Sequence, residues 1–488
     1  MTEPLVLVHG FSAEGRAGEA AHIYGTLPQA LRGLPLLDIN LGRYVTLDDH
    51  VDLEDVTLAL DRALAARPEL LKGGFNALTH STGALVLRNW VRRRGERPSP
   101  LRRLIHLAGA QWGSGWAHLG RSQLARWLHL IGQGSAERGL GVLSALELGS
   151  PWALDLHLHF LAPGQDLLRD YGVLEASLMG SALPPGWAAL PFRAGREAGS
   201  DGVVRVAASN PNVIHVQVGP ASPPDRLDWA QVARYVGETA TALPGQPVPA
   251  PPEPYYVVRR ESQPGHDGRA VVPFALLPDC AHIGPETGIL TGTRPQATVL
   301  RQVAAVLKAS PAEVDALVSQ FEAVSAQTYA ALGGTEHGPL GQVQHPAATQ
   351  HDPHAQLIVR TWDQLGRPLP GCALHVNSFG GNGQPRQLIN DLFEDVHVNS
   401  GAPNTLTCYL RTHRHDSRTG EWVAALPEVN GVDLELDAPT GPGGRVVVVP
   451  LRLRLDSATL QRWLEPHRTT LLDVQLLRLP SVDTFQMY

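Results

Sequence analysis

Residues Phe75 to Gly83 of this 488-residue chain read Phe-Asn-Ala-Leu-Thr-His-Ser-Thr-Gly, an apolar run of strand character that breaks at a serine and opens straight into a helix. A strand that enters a helix through so tight a turn crowds together the residues two before and two after the serine, so both should be small. Gly83 meets that demand. Thr79 stands where glycine is usual, and it fits only if its β-branch points away from the helix. The helix is well marked: Leu87, Trp90 and Val91 share one face, Arg88, Arg92, Arg93 and Arg94 lie opposite or trail, Gly95 stands at the exit and Pro98 beyond it. Ser81 is therefore expected at a helix N-terminus, where backbone N–H groups and the dipole favour developing negative charge.

A second element lies at the start of the chain, where Leu5-Val6-Leu7-Val8 is a short buried-strand run followed by His9-Gly10-Phe11-Ser12. Gly10 permits a tight turn, after which the N–H of Phe11 is expected to face the same crevice as the N–H of Thr82. Two such donors suit the oxyanion of a tetrahedral intermediate, and losing one typically costs about 3 kcal/mol of barrier. Val8-His9-Gly10-Phe11 followed by His80-Ser81-Thr82-Gly83 resembles the α/β-hydrolase superfamily, specifically its lipases and esterases. The resemblance spans residues 1–295 and implies a serine completed by a carboxylate and then a histidine, in that chain order.

Gly199-Ser200-Asp201-Gly202-Val203-Val204 resembles the turn that bears the acid in many lipases, which selects Asp201; the alternative is an aspartate that merely makes a turn. For the histidine, Val271 to Leu277 reads as a buried strand, and the loop Pro278-Asp279-Cys280-Ala281-His282 follows it, which selects His282. His215, alternating with Ile214, Val216 and Val218, and His266, in a glycine-flanked turn, compete with it. A serine hydroxyl is protonated at neutral pH, so an imidazole must take its proton and a carboxylate must fix that imidazole's tautomer. His80, inside the turn, is expected to pack beneath the site.

Composition bounds the remainder. The net charge of −7 argues against a general nucleic-acid partner, although Arg92, Arg93, Arg94, Arg97, Arg102 and Arg103 form a local basic cluster, read either as a lipid-facing patch or as a solvated helix end. The first apolar run lacks a basic leader, and no run approaches the ~18 apolar residues of a membrane span. The three cysteines, Cys280, Cys372 and Cys408, have no metal-like spacing and fit a reducing compartment or three buried thiols. The expected location is therefore cytoplasmic, or outside by a route without a cleaved leader. No cofactor is expected, with a calcium ion near Asp279 left open.

Strand, helix, strand and helix alternate through Leu104 to Ala108, including a helix capped by Asp52 with Leu53, Val56, Leu60 and Leu64 inward, which predicts a mostly parallel sheet covered on both faces. Residues 112–185 break the alternation. Trp112, Trp116, Trp127 and Leu128 there suggest a lid-like insertion offering an apolar surface to substrate, or else extra core. Leu154 to Phe160 alternates like a strand in a helical setting. A proline-rich excursion occupies 220–270 within the first domain, a helical pair follows at 296–337 with Ser310 and Glu313 as a capping box, and a linker runs over 338–355. From 356 to 488 the period becomes two, which predicts an all-β, sandwich-like domain of unassigned role. The whole reads as an α/β serine ester hydrolase acting on hydrophobic esters, with an acyltransferase or a non-catalytic interaction protein of the same fold as the alternatives.

Overall fold

The short apolar runs at the start of the chain assemble, in the computed structural model, into a six-stranded sheet whose strands are all parallel. The structure describes residues 3–10, 23–31, 33, 35–39, 48–117, 139–183, 198–241, 251, 254–332, 348–379, 385–386, 392–416, 419–425, 431–438 and 446–480. In chain order the strands are β1 (Leu5–Val8), β2 (Leu36–Ile39), β3 (Phe75–His80), β4 (Leu101–Leu107) and β5 (Leu174–Gly180). Next come β6 (Val213–Pro220), β7 (Tyr256–Ser262) and β8 (Phe274–Leu277). The sheet order is β2-β1-β3-β4-β5-β8. β1 and β3 are buried along their whole length, as strands of a sheet covered on both faces must be.

Helix α1 (Leu53–Ala65) starts where the Asp52 carboxylate accepts the N–H groups of Glu54 and Asp55 while Asp55 accepts that of Asp52. It buries Leu53, Val56, Leu60 and Leu64, the face expected from their spacing. Helix α2 (Gly83–Arg94) leaves β3 through Ser81 and stops at Gly95, which takes the left-handed conformation with φ 62°. Its trailing arginines are paired: Arg92 with Asp155 at 2.7 Å, Arg93 with Glu54 at 2.7 Å and Arg94 with Asp61 at 3.2 Å. Arg103, on β4, likewise meets Glu3 at 3.0 Å, so these four members of the basic cluster are each paired with a carboxylate.

The chain divides into two units, one of Met1–Asn212, Pro264–Pro353 and Arg414–Val423, the other of Val213–Gln263, His354–His413 and Ala424–Tyr488. The first domain is therefore not continuous to residue 295. The stretch expected as an internal excursion supplies β6 and β7 to the second unit, where β6 pairs in parallel with Thr469–Leu476. The alternation of Ile214, Val216 and Val218 marks a strand, but its partner is near the C-terminus and leaves no local sign.

Residues 112–185 are also not one insertion, because they contain the core strand β5 and the helix α3 (Pro151–Leu161). Pro151 after the capping Ser150 fixes that helix, and its buried Leu154, His157 and Phe160 follow helical spacing. Trp112 belongs to the core rather than to a lid: it is 1% exposed, stacks on His157 at 3.9 Å between centroids and donates its indole N–H to Asn210 O at 3.0 Å. Trp112→Ala should therefore cost about 3–5 kcal/mol of folding stability, read as a fall in denaturant midpoint. A lid residue would instead shift acyl-length preference and leave the midpoint in place.

The helical pair is present as α4 (Gln296–Lys308) and α5 (Val314–Leu332), with the capping box of Ser310 and Glu313 between them. The second unit is β-rich as expected. A six-stranded sheet, containing β9 (His354–Asp363), β6 and β7, and a four-stranded antiparallel set around Gly431–Asp437 share one core that includes Val216, Leu357, Val359, Leu434 and Leu472. The unit also carries helices Trp229–Thr241 and Ser457–Trp463, and β9 and β6 flank Thr469–Leu476 in parallel.

Candidate active site

The carboxyl ends of the parallel strands converge on one place, where open α/β sheets bind ligands. β3 delivers Ser81, whose φ of 54° is in the left-handed region that non-glycine residues rarely adopt. His80 and Thr82 on either side are buried while Ser81 is only half-buried, so the bend lifts the serine out of the chain's own packing. Its backbone is tied down by Ser81 N–H to Leu107 O at 3.1 Å and Ala110 N–H to Ser81 O at 3.2 Å. The β1 turn presses against it: a Cβ on Gly10 would lie 2.8 Å from Ser81 Cβ and 2.9 Å from His80 O, so only glycine fits. At the other crowded position a Cβ on Gly83 would approach Val8 O at 3.0 Å and Thr79 Cβ at 3.4 Å.

Thr79 is accommodated because its hydroxyl turns sideways to the neighbouring strand, where it meets His106 Nδ1 at 2.8 Å. His106 Nε2 bonds Glu175 Oε1 at 2.7 Å, and Arg88 Nη1 reaches the same oxygen at 3.3 Å. Burial alone would raise Glu175, but the Arg88 guanidinium and the His106 bond outweigh it and hold the carboxyl below its ordinary range. Burial pushes His106 down, against the pull of Glu175.

Asp201 and His282, selected separately from sequence, are in contact. His282 Nδ1 lies 2.8 Å from Asp201 Oδ2, with the two side chains 3% and 1% exposed, and the His282 N–H also bonds Asp201 O at 3.0 Å. The other carboxylate oxygen, Oδ1, accepts the N–H groups of Val203 at 3.0 Å and Val204 at 2.8 Å. Asp201 thus makes its own turn with one oxygen and holds the imidazole with the other. His215 is bonded to Asp473 in the second unit at 2.7 Å, and His266 is exposed in a turn.

The His282 ring is set against the serine bend by His80, whose ring centroid is 4.7 Å away at 43°. Burial first, and then His282, push His80 well below the ordinary imidazole range, so it stays neutral beside its neighbour. The loop that carries His282 passes over β5 so closely that a Cβ on Gly180 would lie 1.9 Å from Cys280 O. Thr82 is at the N-cap of α2 without a side-chain capping bond. Phe11, Trp127, Leu128 and the side chain of Trp116 lie outside the described residues.

One support has no motif. Gln350, from the stretch expected as a linker, accepts the Gly199 N–H at 2.6 Å and donates its amide to Ser200 O at 3.0 Å, steadying the turn that carries Asp201. His351 beside it meets the Ser181 hydroxyl at 2.8 Å. Among the described residues no group of three or more histidine, cysteine, aspartate or glutamate side chains is placed to hold a metal ion, and no helix is long and apolar enough to cross a membrane. Cys280, Cys372 and Cys408 are buried free thiols.

The parallel sheet and the serine on a strained strand-to-helix bend define an α/β-hydrolase fold. Residues 4–129, which hold β1, the serine bend and α2, match the family model of palmitoyl protein thioesterase. Phospholipase PlaB from Legionella pneumophila is similar in structure over 100% of this chain and 96% of its own. Its complex with thio-NAD gives a TM-score of 0.75 at 22% identity, and a second PlaB structure gives 0.74 at 23%. At that identity the likeness defines the fold, β-rich second domain included. No curated protein matches the sequence.

Proposed function

We propose that the chain hydrolyses carboxylic esters with long apolar acyl groups, by way of an acyl-enzyme on Ser81. Ser81 Oγ attacks the ester carbonyl carbon, and His282 Nε2 takes the hydroxyl proton. Asp201, bonded to Nδ1, fixes the tautomer that leaves Nε2 free to accept it. Negative charge gathers on the former carbonyl oxygen, where the backbone N–H groups of Phe11 and Thr82 serve as donors. The carbon–oxygen bond to the alcohol then breaks, and the alcohol leaves with the proton from His282. Water, activated by the same imidazole, releases the acid and restores the serine.

The observation that carries this reading is the buried 2.8 Å bond between Asp201 and His282 beside a serine in a left-handed bend. The match of residues 4–129 to a thioesterase family supports an acyl substrate, and the phospholipase with the same architecture supports a lipid one. The test is fatty-acid release from p-nitrophenyl esters of increasing length, phosphatidylcholine vesicles and an acyl thioester. Oxygen-ester cleavage that strengthens with acyl length is expected. A chain that releases acid from none of them is not this enzyme.

A further inference from the structure

We infer that Thr79, His106 and Glu175 form a buried positioning relay that sets the serine bend, and that threonine in place of the usual glycine is a working part of the site. The inference rests on Ser81 being the nucleophile. Thr79 and His106 are register partners on β3 and β4, the two strands whose alignment places the serine, since Ser81 N–H bonds Leu107 O and Ala110 N–H bonds Ser81 O. The 2.8 Å bond from the Thr79 hydroxyl to His106 Nδ1 ties those strands through side chains two residues before the nucleophile.

The relay's polarity follows from its acidic end. The Glu175 carboxylate, paired with Arg88, can only accept, so His106 gives it the Nε2 proton at 2.7 Å, and a neutral His106 then presents Nδ1 as acceptor to the Thr79 hydroxyl, whose other acceptor, Ile105 O, is farther away at 3.4 Å. Glu175 is buried and needs a countercharge, which Arg88 supplies from α2, the helix that the serine bend begins. The four side chains therefore link β3, β4, β5 and α2 around the bend. Their side-chain bonds run to one another rather than to Ser81 or His282, so they act on the bend and not on the reacting atoms. A left-handed serine persists only where its surroundings over-determine it, and these bonds do so.

Restoring glycine should thus impair the enzyme. Thr79→Gly and Thr79→Val, which keeps the β-branch but loses the hydroxyl, should each lower kcat and the rate of fluorophosphonate labelling by about tenfold or more, as small misplacements of a nucleophile do. KM for a short-chain ester should not change, and Thr79→Ser should restore most of the rate. A merely structural threonine would lower the melting temperature and leave kcat per folded molecule, and the labelling rate, as in the parent. Wild-type kcat in folded Thr79→Gly or Thr79→Val, or failure of serine to rescue, overturns the relay. Failure of the hydrolase reading is separately visible, since the parent chain would then neither hydrolyse esters nor take the label.

Discussion

Ser81→Ala should abolish ester hydrolysis, with kcat falling by about 10⁶-fold, the scale on which serine triads lose turnover when the nucleophile is removed. The fold should survive. Alanine keeps the Cβ that already fits beside Gly10, and the backbone bonds to Leu107 and Ala110 do not involve the hydroxyl. Unchanged far-ultraviolet circular dichroism and an unchanged unfolding midpoint, together with loss of p-nitrophenyl ester turnover, are the expected results. Turnover within tenfold of the parent would remove Ser81 from the mechanism.

Asp201→Asn is expected to be nearly as damaging for a subtler reason. Oδ1 accepts two backbone N–H groups, so the amide oxygen of asparagine must occupy that place. Its NH₂ then falls where Oδ2 was and points a donor at His282 Nδ1, which forces the proton onto Nε2, the atom that must accept from Ser81. The wrong tautomer costs about 10⁴ in kcat in serine hydrolases of this chemistry. The turn itself should persist, so stability should change little while kcat collapses and KM stays within a few-fold. An asparagine variant of near-parental rate would mean that another carboxylate orients the imidazole.

Much of the candidate site was legible because the chemistry proposed for it demands special backbone. A strand that ends in a serine bend needs a small residue after it, an acid-bearing turn needs glycine flanks, and a histidine loop follows a strand, so Ser81, Asp201 and His282 each left a local mark. The relay left only the departure at Thr79. β5 carries Glu175 and Ser177, which interrupt the apolar run that identifies a buried strand, and their suitability appears only once Arg88 and His106 are folded beside them. Trp112 was ambiguous for the converse reason: an apolar side chain suits a core and a lid alike, and only its stacking on His157 decides. The domain boundary was misplaced because β6 and β7 find their sheet through Thr469–Leu476, a pairing of distant segments that no nearby residue announces.

The central claim is that one serine on a strained bend is the reactive group. It is tested most directly by treating the full chain with a fluorophosphonate probe and locating the adduct by peptide mass spectrometry. A single adduct on Ser81, lost in Ser81→Ala and forming in step with loss of ester hydrolysis, is the expected result. Hydrolysis that persists after full modification of Ser81, or an adduct on another residue that tracks inactivation, would contradict it.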